Sequence, residues 1–499
     1  MKLNELLAGV GTEPPAAPKH KGEITGLCHD SRQVKAGDLF IALPGGKSDG
    51  SLFAAEAVSR GALAVVSERE VPEVKVPVFR VTAARKALAL IAANFYKKPA
   101  EDLTLLGVTG TNGKTTTAWL LESICAAGGA QTALLGTIRN AWAGHTEPVT
   151  HTTPDPIVLH RMFREMVDAG VDTVVMEVSS HALAQHRVHG LTFKGAAFTN
   201  LSRDHLDYHK DMEEYFQAKR RLFTDNLSPG GVGVVNGDDT YAVRLYNELR
   251  GAKRMAWKFS RLGNGEISSA NVELTSHGIK GTLKTPAGDI PLKSALVGTH
   301  NLDNILTAAG MALAAGFSRR DVQDGIERVT RVPGRMERVE GKGGIVALVD
   351  YAHTDDALRR ALESARGVTR GRLIVIFGAG GDRDQGKRPL MGEAAAELSD
   401  LPIVTNDNPR TEDPDKIIAD ITSGLEKGGL RRMGAAKAKS GEKGYMVEAD
   451  RNAAITLAVS LAKPGDVILL AGKGHETYQD SEGVKKPFDD LEEARKALA

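Results

Sequence analysis

Residues 103–129 read LTLLGVTGTNGKTTTAWLLESICAAGG: an apolar run, a glycine-rich turn and a helical stretch with no spacer between them. This succession limits the fold more than any other part of the chain. A strand that turns into a helix across Gly110-Thr111-Asn112-Gly113-Lys114-Thr115 belongs in an α/β sheet, with the loop at the strand's carboxyl end. Glycines let backbone N–H groups turn toward phosphate oxygens, and the helix N-terminus adds its positive end. Lys114 is then placed to neutralise β/γ-phosphate charge, and the Thr115 hydroxyl to ligate Mg²⁺. Thr116 follows in the same turn. The strict pattern has a glycine at position 108, where this chain carries Val108, so the loop is a shortened variant. The plainer alternative is a tight strand–helix turn with a solvent-facing lysine.

The same grammar recurs along the chain. Leu105–Val108, Val174–Val178, Leu373–Phe377 and Val467–Leu470 read as buried parallel strands, each ending in a polar or glycine-rich loop. At 499 residues the chain exceeds one compact core, and about 150 residues per domain predicts three. Breaks near Pro99 and at Pro333-Gly334 divide it into 1–99, 100–332 and 333–499. Lys and Arg number 64 against 63 Asp and Glu, so no basic excess calls for nucleic acid or an anionic membrane. No apolar run approaches a membrane span and the first twenty residues lack a signal-peptide core, so a cytosolic protein without membrane insertion is expected. Cys28 and Cys125 supply neither a disulfide framework nor a Cys-based zinc site.

A nucleotide loop alone serves kinases, switches, motors and ligases, so the rest of the chain has to choose. Val174-Val175-Met176-Glu177 ends in a carboxylate, the usual place for an acid that supports Mg²⁺ beside such a loop. Ser179, Ser180 and His181 follow, and then the ligand-dense run Thr199-Asn200-Leu201-Ser202-Arg203-Asp204-His205-Leu206-Asp207-Tyr208-His209. His205 and His209, four apart, would share a helix face as in a zinc site, but no cysteine or HExxH pattern accompanies them. A solvated polar loop is the alternative there. Asn301, ahead of an Ala-rich helix, reads equally as an adenine contact or a helix cap. In the last block four polar loops stand at predicted strand ends: Asp350-Tyr351-Ala352-His353, Gly378 to Asp384, Asp407-Asn408-Pro409-Arg410, and Gly472-Lys473-Gly474-His475-Glu476. In an open parallel sheet they would converge on one crevice. The GAGGD run lacks the full GxGxxG spacing, which argues against NAD.

Taken together, TGTNGKTTT, MEVSSHAL, TNLSRDHLDYH, GTHNLDNILTA, PGRMERV, DYAHT and GKGHE resemble, in content and order, the Mur ligases, ATP-dependent amino-acid-adding enzymes of peptidoglycan precursor synthesis. The likeness covers nearly the whole chain. It is greatest to the branch that adds the third residue, a diamino acid, to UDP-N-acetylmuramoyl-L-alanyl-D-glutamate. The resemblance implies a UDP-binding α/β domain, a central P-loop ATPase-like domain with a parallel sheet, and a Rossmann-like domain for the amino acid. It assigns Asn301, Arg335 and Asp350 to ATP along with residues 110–116. It assigns His29, Ser31, Gly46, Lys47 and Ser48, with Thr152, Thr153, Ser179, Gln185 and Arg187, to the UDP-muramoyl-dipeptide; taken bare, such polar residues are more often plain surface.

Lys219 by itself reads as a basic residue on a helix surface. The resemblance reverses that reading, matching it to a lysine carried as a carbamate that would ligate a second Mg²⁺ beside His205. Thr115, Glu177, His205 and Lys219 thus form the implied metal set, and Lys114, Lys219, His205 and His353 the catalytic one. Asp407-Asn408-Pro409-Arg410 matches the tetrapeptide of the meso-diaminopimelate-adding members. The chemistry agrees, because Arg383 and Arg410 can pair the second carboxylate that lysine lacks, while Asp407 and Glu476 hold an amine beside Gly472. Two departures stand out: Asp355 where proline usually follows DYAHT, which would loosen that turn, and His151 where asparagine is common. The expected reaction transfers the γ-phosphoryl of ATP to the D-glutamyl γ-carboxylate, and the amine then attacks the acyl phosphate. A monomer using only small-molecule substrates is expected. The alternatives are a lysine-adding or folylpolyglutamate-type ligase, a P-loop ATPase or kinase that needs no amine, and a non-catalytic nucleotide-binding module.

Overall fold

A computed structural model describes residues 1–13, 22–45, 48–71, 74–341 and 344–499. Among the described residues three large sheets follow one another along the chain, with a two-stranded one, Tyr478–Ser481 and Val484–Pro487, near its end. The first is parallel, its strands Gly26–Cys28, Asp38–Ala42, Ala64–Ser67 and Val78–Arg80 lying side by side in chain order. Helix Ala84–Phe95 buries Leu88 and Ile91 against it.

The central sheet has eleven strands. Its middle is parallel, in the order Thr132–Leu135, Thr173–Glu177, Thr104–Thr109, Phe193–Phe198, Leu227–Asn236, Met255–Ser260. Thr173–Glu177 and Thr104–Thr109, at its centre, read as nearly unbroken apolar runs because both faces are covered, whereas Phe193–Phe198, Leu227–Asn236 and Met255–Ser260 include polar and exposed positions. Leu105, Val174 and Met176 enter one core, and their neighbours Leu106, Val108 and Val175 the other. The edges are antiparallel: Asn140–Trp142 with His145–Glu147 on one side, and Ile267–Thr275, Gly278–Lys284 and Ile290–Ser294 on the other. Helix Lys114–Ala127 starts directly after the strand Thr104–Thr109 and packs against helix Thr299–Ala315.

The third sheet places Val346–Asp350, Val467–Ala471, Leu373–Phe377, Leu401–Val404 and Met446–Val447 in parallel, with Glu337–Glu340 antiparallel at one edge. Leu373, Val375 and Phe377 face one core and Ile374 and Ile376 the other. The turn at Asp355 is not loosened. Thr354 caps helix Asp355–Arg366 by accepting the Ala357 N–H, and Asp355 and Asp356 occupy the first turn, where anions suit the helix dipole. Asp356 also accepts hydrogen bonds from Asn112 (3.0 Å) and Ser202 (2.6 Å), joining the second and third sheets' loops. No helix among the described residues is long and apolar enough to cross a membrane.

One buried histidine gives the central domain an acid limit. His160, on helix Pro156–Asp168, packs edge-on to Phe163, and its Nδ1 has no hydrogen-bond partner among the described residues. Burial pushes its imidazole down from 6.5 to about 4. Between those values only the unfolded chain takes up the proton, so stability falls as pH drops through this window and is indifferent to it above. His160→Phe is expected to shrink the loss of unfolding free energy between pH 7 and pH 5 by about 2 kcal/mol. Urea unfolding at both values checks it; a loss as large as in the parent would remove His160 as its source.

Candidate active site

The phosphate loop is held from below by the end of the neighbouring strand. The Thr199 hydroxyl donates to Asn112 O (2.6 Å), Asn200 Nδ2 to the same carbonyl (3.1 Å), and Asn112 N–H to Asn200 Oδ1 (3.0 Å). Gly110 has φ +141°, and a Cβ there would collide with the Thr199 hydroxyl, so the approach requires glycine. Gly113 precedes the helix with φ +85°. Lys114 Nζ folds back over the loop, donating to Gly110 O (3.0 Å) and Thr111 O (2.8 Å). Burial lowers its pKa, opposed by Glu177 and Asp204.

Glu177, buried at its strand's end, gathers the other groups. Thr115 donates to its Oε2 (3.1 Å), Thr137 donates its N–H to Oε1 (2.8 Å), and Arg335 reaches the Thr115 hydroxyl (3.2 Å). Thr153 bonds the Glu177 carbonyl and receives the Ser179 N–H, and Thr152 touches Thr137. Thr116 is buried in the first turn behind Thr115. Asp350 accepts the N–H groups of Met336 and Ala352; burial raises its pKa, opposed by Arg335.

Lys219 is not a surface residue. On helix Met212–Thr224 it is 1% exposed, its Nζ donating to Gly110 O at 2.7 Å, the carbonyl that Lys114 also uses. Burial, and then Lys114, hold its amine well below the usual lysine range. His205 lies in a turn with φ +55°, and His209 turns to Ser180 Oγ at 3.0 Å, so the two do not share a helix face. Burial pushes His205 down to about 4 despite Asp204 beside it. Asn301 is fully buried behind the wall, donating to Val297 O and accepting from Asn304; it is Asn304 that faces the cavity.

Two cavities meet here. One, of about 290 Å³, runs from the phosphate loop past Glu177, Arg335 and Asp350 to Asn304 and Asp303. The other, of about 390 Å³, is lined by Arg383, Lys387, Asp407, Asn408, Arg410, Gly472 and Glu476. Asp204, His205, Tyr351, His353 and Thr354 line both. His353 Nδ1 lies 2.8 Å from Tyr351 O, which leaves Nε2 as the acceptor, and burial lowers its pKa. In the second cavity Arg410 donates to Gly381 O (2.5 Å), Pro409 turns its carbonyl under Gly381, and Asn408 donates to Glu476 (2.8 Å). A Cβ on Gly472, at φ +120°, would collide with the Asp407 carboxylate. Two lysines join these residues: Lys387, at the start of helix Lys387–Leu398, lines the second cavity, and Lys473 stands inside the loop Gly472–Glu476.

Arg187 donates to Thr153 O (2.8 Å) and Gln185 Oε1 (2.9 Å), joining that trio beside Ser179. Ser31 is buried against Glu56 (2.8 Å), whereas His29 and Ser48 are exposed. Gly46 and Lys47 lie outside the described residues.

Three family descriptions match in succession: "Mur ligase family, catalytic domain" over 23–96, "Mur ligase middle domain" over 108–312 and "Mur ligase, glutamate ligase domain" over 334–474. The chain belongs to the Mur ligase family. Among its relatives, the UDP-N-acetylmuramoyl-L-alanyl-D-glutamate--2,6-diaminopimelate ligase of Geobacter metallireducens is 48% identical, over 95% of this chain and 94% of that one. The enzyme of the same name from Gloeobacter violaceus is 47% identical, over 100% and 98%. A solved structure with that title superposes with a TM-score of 0.67 at 33% identity, over 95% of this chain and 94% of that one. The MurF ligase of Thermotoga maritima in complex with ADP shares the fold at 18% identity (TM-score 0.59, over 95% and 97%). The three α/β domains of the Mur ligases are therefore the three large sheets described above.

Proposed function

We propose that this chain is an ATP-dependent ligase that joins meso-diaminopimelate to the D-glutamyl γ-carboxylate of UDP-N-acetylmuramoyl-L-alanyl-D-glutamate, in peptidoglycan precursor synthesis. One observation carries the reading. A phosphate-loop cavity and a cavity lined by both arginines and carboxylates share the wall formed by Asp204, His205, Tyr351, His353 and Thr354. An acyl phosphate made on one side is thereby open to an amine held on the other. Relatives 44–48% identical over nearly the full length carry the same activity in their names.

The first step forms a bond between a γ-carboxylate oxygen and the γ-phosphorus and breaks that to the ADP oxygen. Lys114 and the loop N–H groups hold the phosphates as charge moves. Thr152, Thr153, Ser179, Gln185 and Arg187 hold the dipeptide, and His29, Ser31 and residues 46–48 the uridine. The diaminopimelate nitrogen then attacks the acyl carbon, phosphate leaves, and neutral His353 takes the amine proton on Nε2. Arg383 and Arg410 pair the distal carboxylate, and Asp407 and Glu476 the distal ammonium. The Thr115 hydroxyl and Glu177 carboxylate, 3.1 Å apart, are hard oxygen donors suited to Mg²⁺ with ATP phosphates. Bound Mg²⁺ would screen that phosphate charge. His205, kept neutral by burial, and carbamylated Lys219 would hold a second ion. Lys219 suits carbamylation because burial disfavours its charged form, and a free amine adds to CO₂ with release of a proton. Such an enzyme works as a cytoplasmic monomer.

Phosphate release with ATP, Mg²⁺ and the UDP-dipeptide tests the function. Release that requires diaminopimelate, and not L-lysine, is expected. Preference for lysine would overturn the roles given to Arg383 and Arg410, and turnover indifferent to both would overturn the ligase reading. Labelled bicarbonate should give the parent protein a carbamate carbonyl NMR signal that Lys219→Ala lacks; its absence from the parent would remove the carbamate.

A further inference from the structure

The floor of the amino-acid cavity contains a cation that recognition of diaminopimelate does not by itself require. Lys473 is fully buried. Its Nζ donates to Asn408 Oδ1 at 3.0 Å and to Glu476 Oε2 at 3.3 Å, and lies 3.9 Å from Asp407 Oδ1. Asp407 and Glu476 are the residues given above to the distal ammonium, and Asn408 lines the same cavity. The ammonium therefore sits behind the pocket rather than in it, joining all three from below. Asn408 is fixed further: its Oδ1 also accepts the Asp480 N–H (2.9 Å) and its Nδ2 donates to Glu476 (2.8 Å).

Charge explains what this arrangement does. Asp407 and Glu476 carry two negative charges, and Arg383, Arg410 and Lys473 three positive, so the groups around the distal end hold no surplus of negative charge. The distal end of diaminopimelate, one ammonium and one carboxylate, is neutral and asks for none. The distal end of L-lysine is a bare ammonium. It would find its two carboxylates already countered by Lys473 and would leave Arg410 without an anion. Without the Lys473 charge the two carboxylates would face only the arginines given to the distal carboxylate, which leaves them freer to take a lone ammonium. We infer that Lys473 is a specificity-determining positioning residue, a buried counter-cation that sets the amino-acid cavity to accept a zwitterionic side-chain end and to reject a purely cationic one. The inference rests on the assignment of Asp407, Arg410 and Glu476 to the distal end of the amino acid.

The test compares KM for meso-diaminopimelate and for L-lysine in Lys473→Gln, which keeps a donor toward Asn408 and removes the charge. KM for diaminopimelate should rise and KM for lysine should fall, moving their ratio by about tenfold or more, the effect of one buried charge-assisted bond. KM for ATP should stay as in the parent, which a general disruption of the domain would not allow. Lys473→Arg keeps the charge and is expected to keep the ratio even where kcat drops, so the question remains answerable if the glutamine variant folds poorly. A ratio unchanged in Lys473→Gln, with both KM values raised together, or a ratio shifted equally in Lys473→Arg, overturns the role of Lys473. Arg410→Ala is measured alongside. If it leaves KM for diaminopimelate unchanged, the assignment of the cavity fails and the role of Lys473 with it. If that KM rises while the glutamine variant keeps the parent ratio, only the role of Lys473 fails.

Discussion

Lys114→Ala is expected to lower ATP-dependent ligation by about a thousandfold or more while the protein stays folded, the scale of removing a principal charge-stabilising group from a transition state. The size follows from where the lysine sits. Its ammonium is tied to two carbonyls of its own loop, Gly110 O and Thr111 O, so it is aimed into the phosphate site before any nucleotide arrives. Those bonds are local, within four residues, and no core side chain depends on them. Alanine also suits the first turn of helix Lys114–Ala127. The loss should therefore appear in kcat, with little change in the unfolding midpoint. Phosphate release and thermal unfolding on one preparation separate the two. Ligation retained at near-parental rate would dismiss the loop as the phosphoryl-transfer site.

How much of this was legible beforehand depended on whether a residue's role was local. The strands Thr104–Thr109, Thr173–Glu177, Leu373–Phe377 and Val467–Ala471 declared themselves because both sides of each are buried, which leaves unbroken apolar runs. The antiparallel edge strands did not. Ile267–Thr275 is largely half-exposed and reads ISSANVELT, without the apolar density that marks a core strand. Lys219 shows the same limit from the other side. A basic residue in the run FQAKRRLF gives no sign of burial, and only its bond to Gly110 O, 109 residues away in sequence, takes it out of solvent. Asn301 and Asn304 are one helical turn apart, and which of them faces the nucleotide cavity is decided by how helix Thr299–Ala315 rotates against the phosphate loop. Asp356 was hidden for a similar reason: its partners Asn112 and Ser202 belong to another domain.

Arg451→Met is expected to cost the C-terminal domain about 3–5 kcal/mol, the penalty for stranding a buried carboxylate. Arg451 and Asp490 have side chains 0% exposed and form a two-point pair, Nε to Oδ1 and Nη2 to Oδ2, both 2.7 Å. The pair fastens helix Asp490–Leu498 to helix Arg451–Leu461. With methionine in its place, Asp490 has no counter-cation and no water to replace it. A loss of that size is a large share of the 5–15 kcal/mol typical of a folded domain. Adding Asp490→Leu should restore most of the stability, because two apolar side chains of similar volume fill a buried ion-pair site at little cost. The same guanidinium has a second task that the double variant cannot recover. Arg451 Nη2 donates to Ala471 O at 3.0 Å, at the end of the strand that continues into Gly472 and Lys473. KM for diaminopimelate should therefore stay elevated in Arg451→Met/Asp490→Leu after the denaturation midpoint has recovered. Full return of both would reduce Arg451 to a fastening between helices. A midpoint that recovers while KM does not would tie a residue outside the cavity wall to the loop that recognises the amino acid.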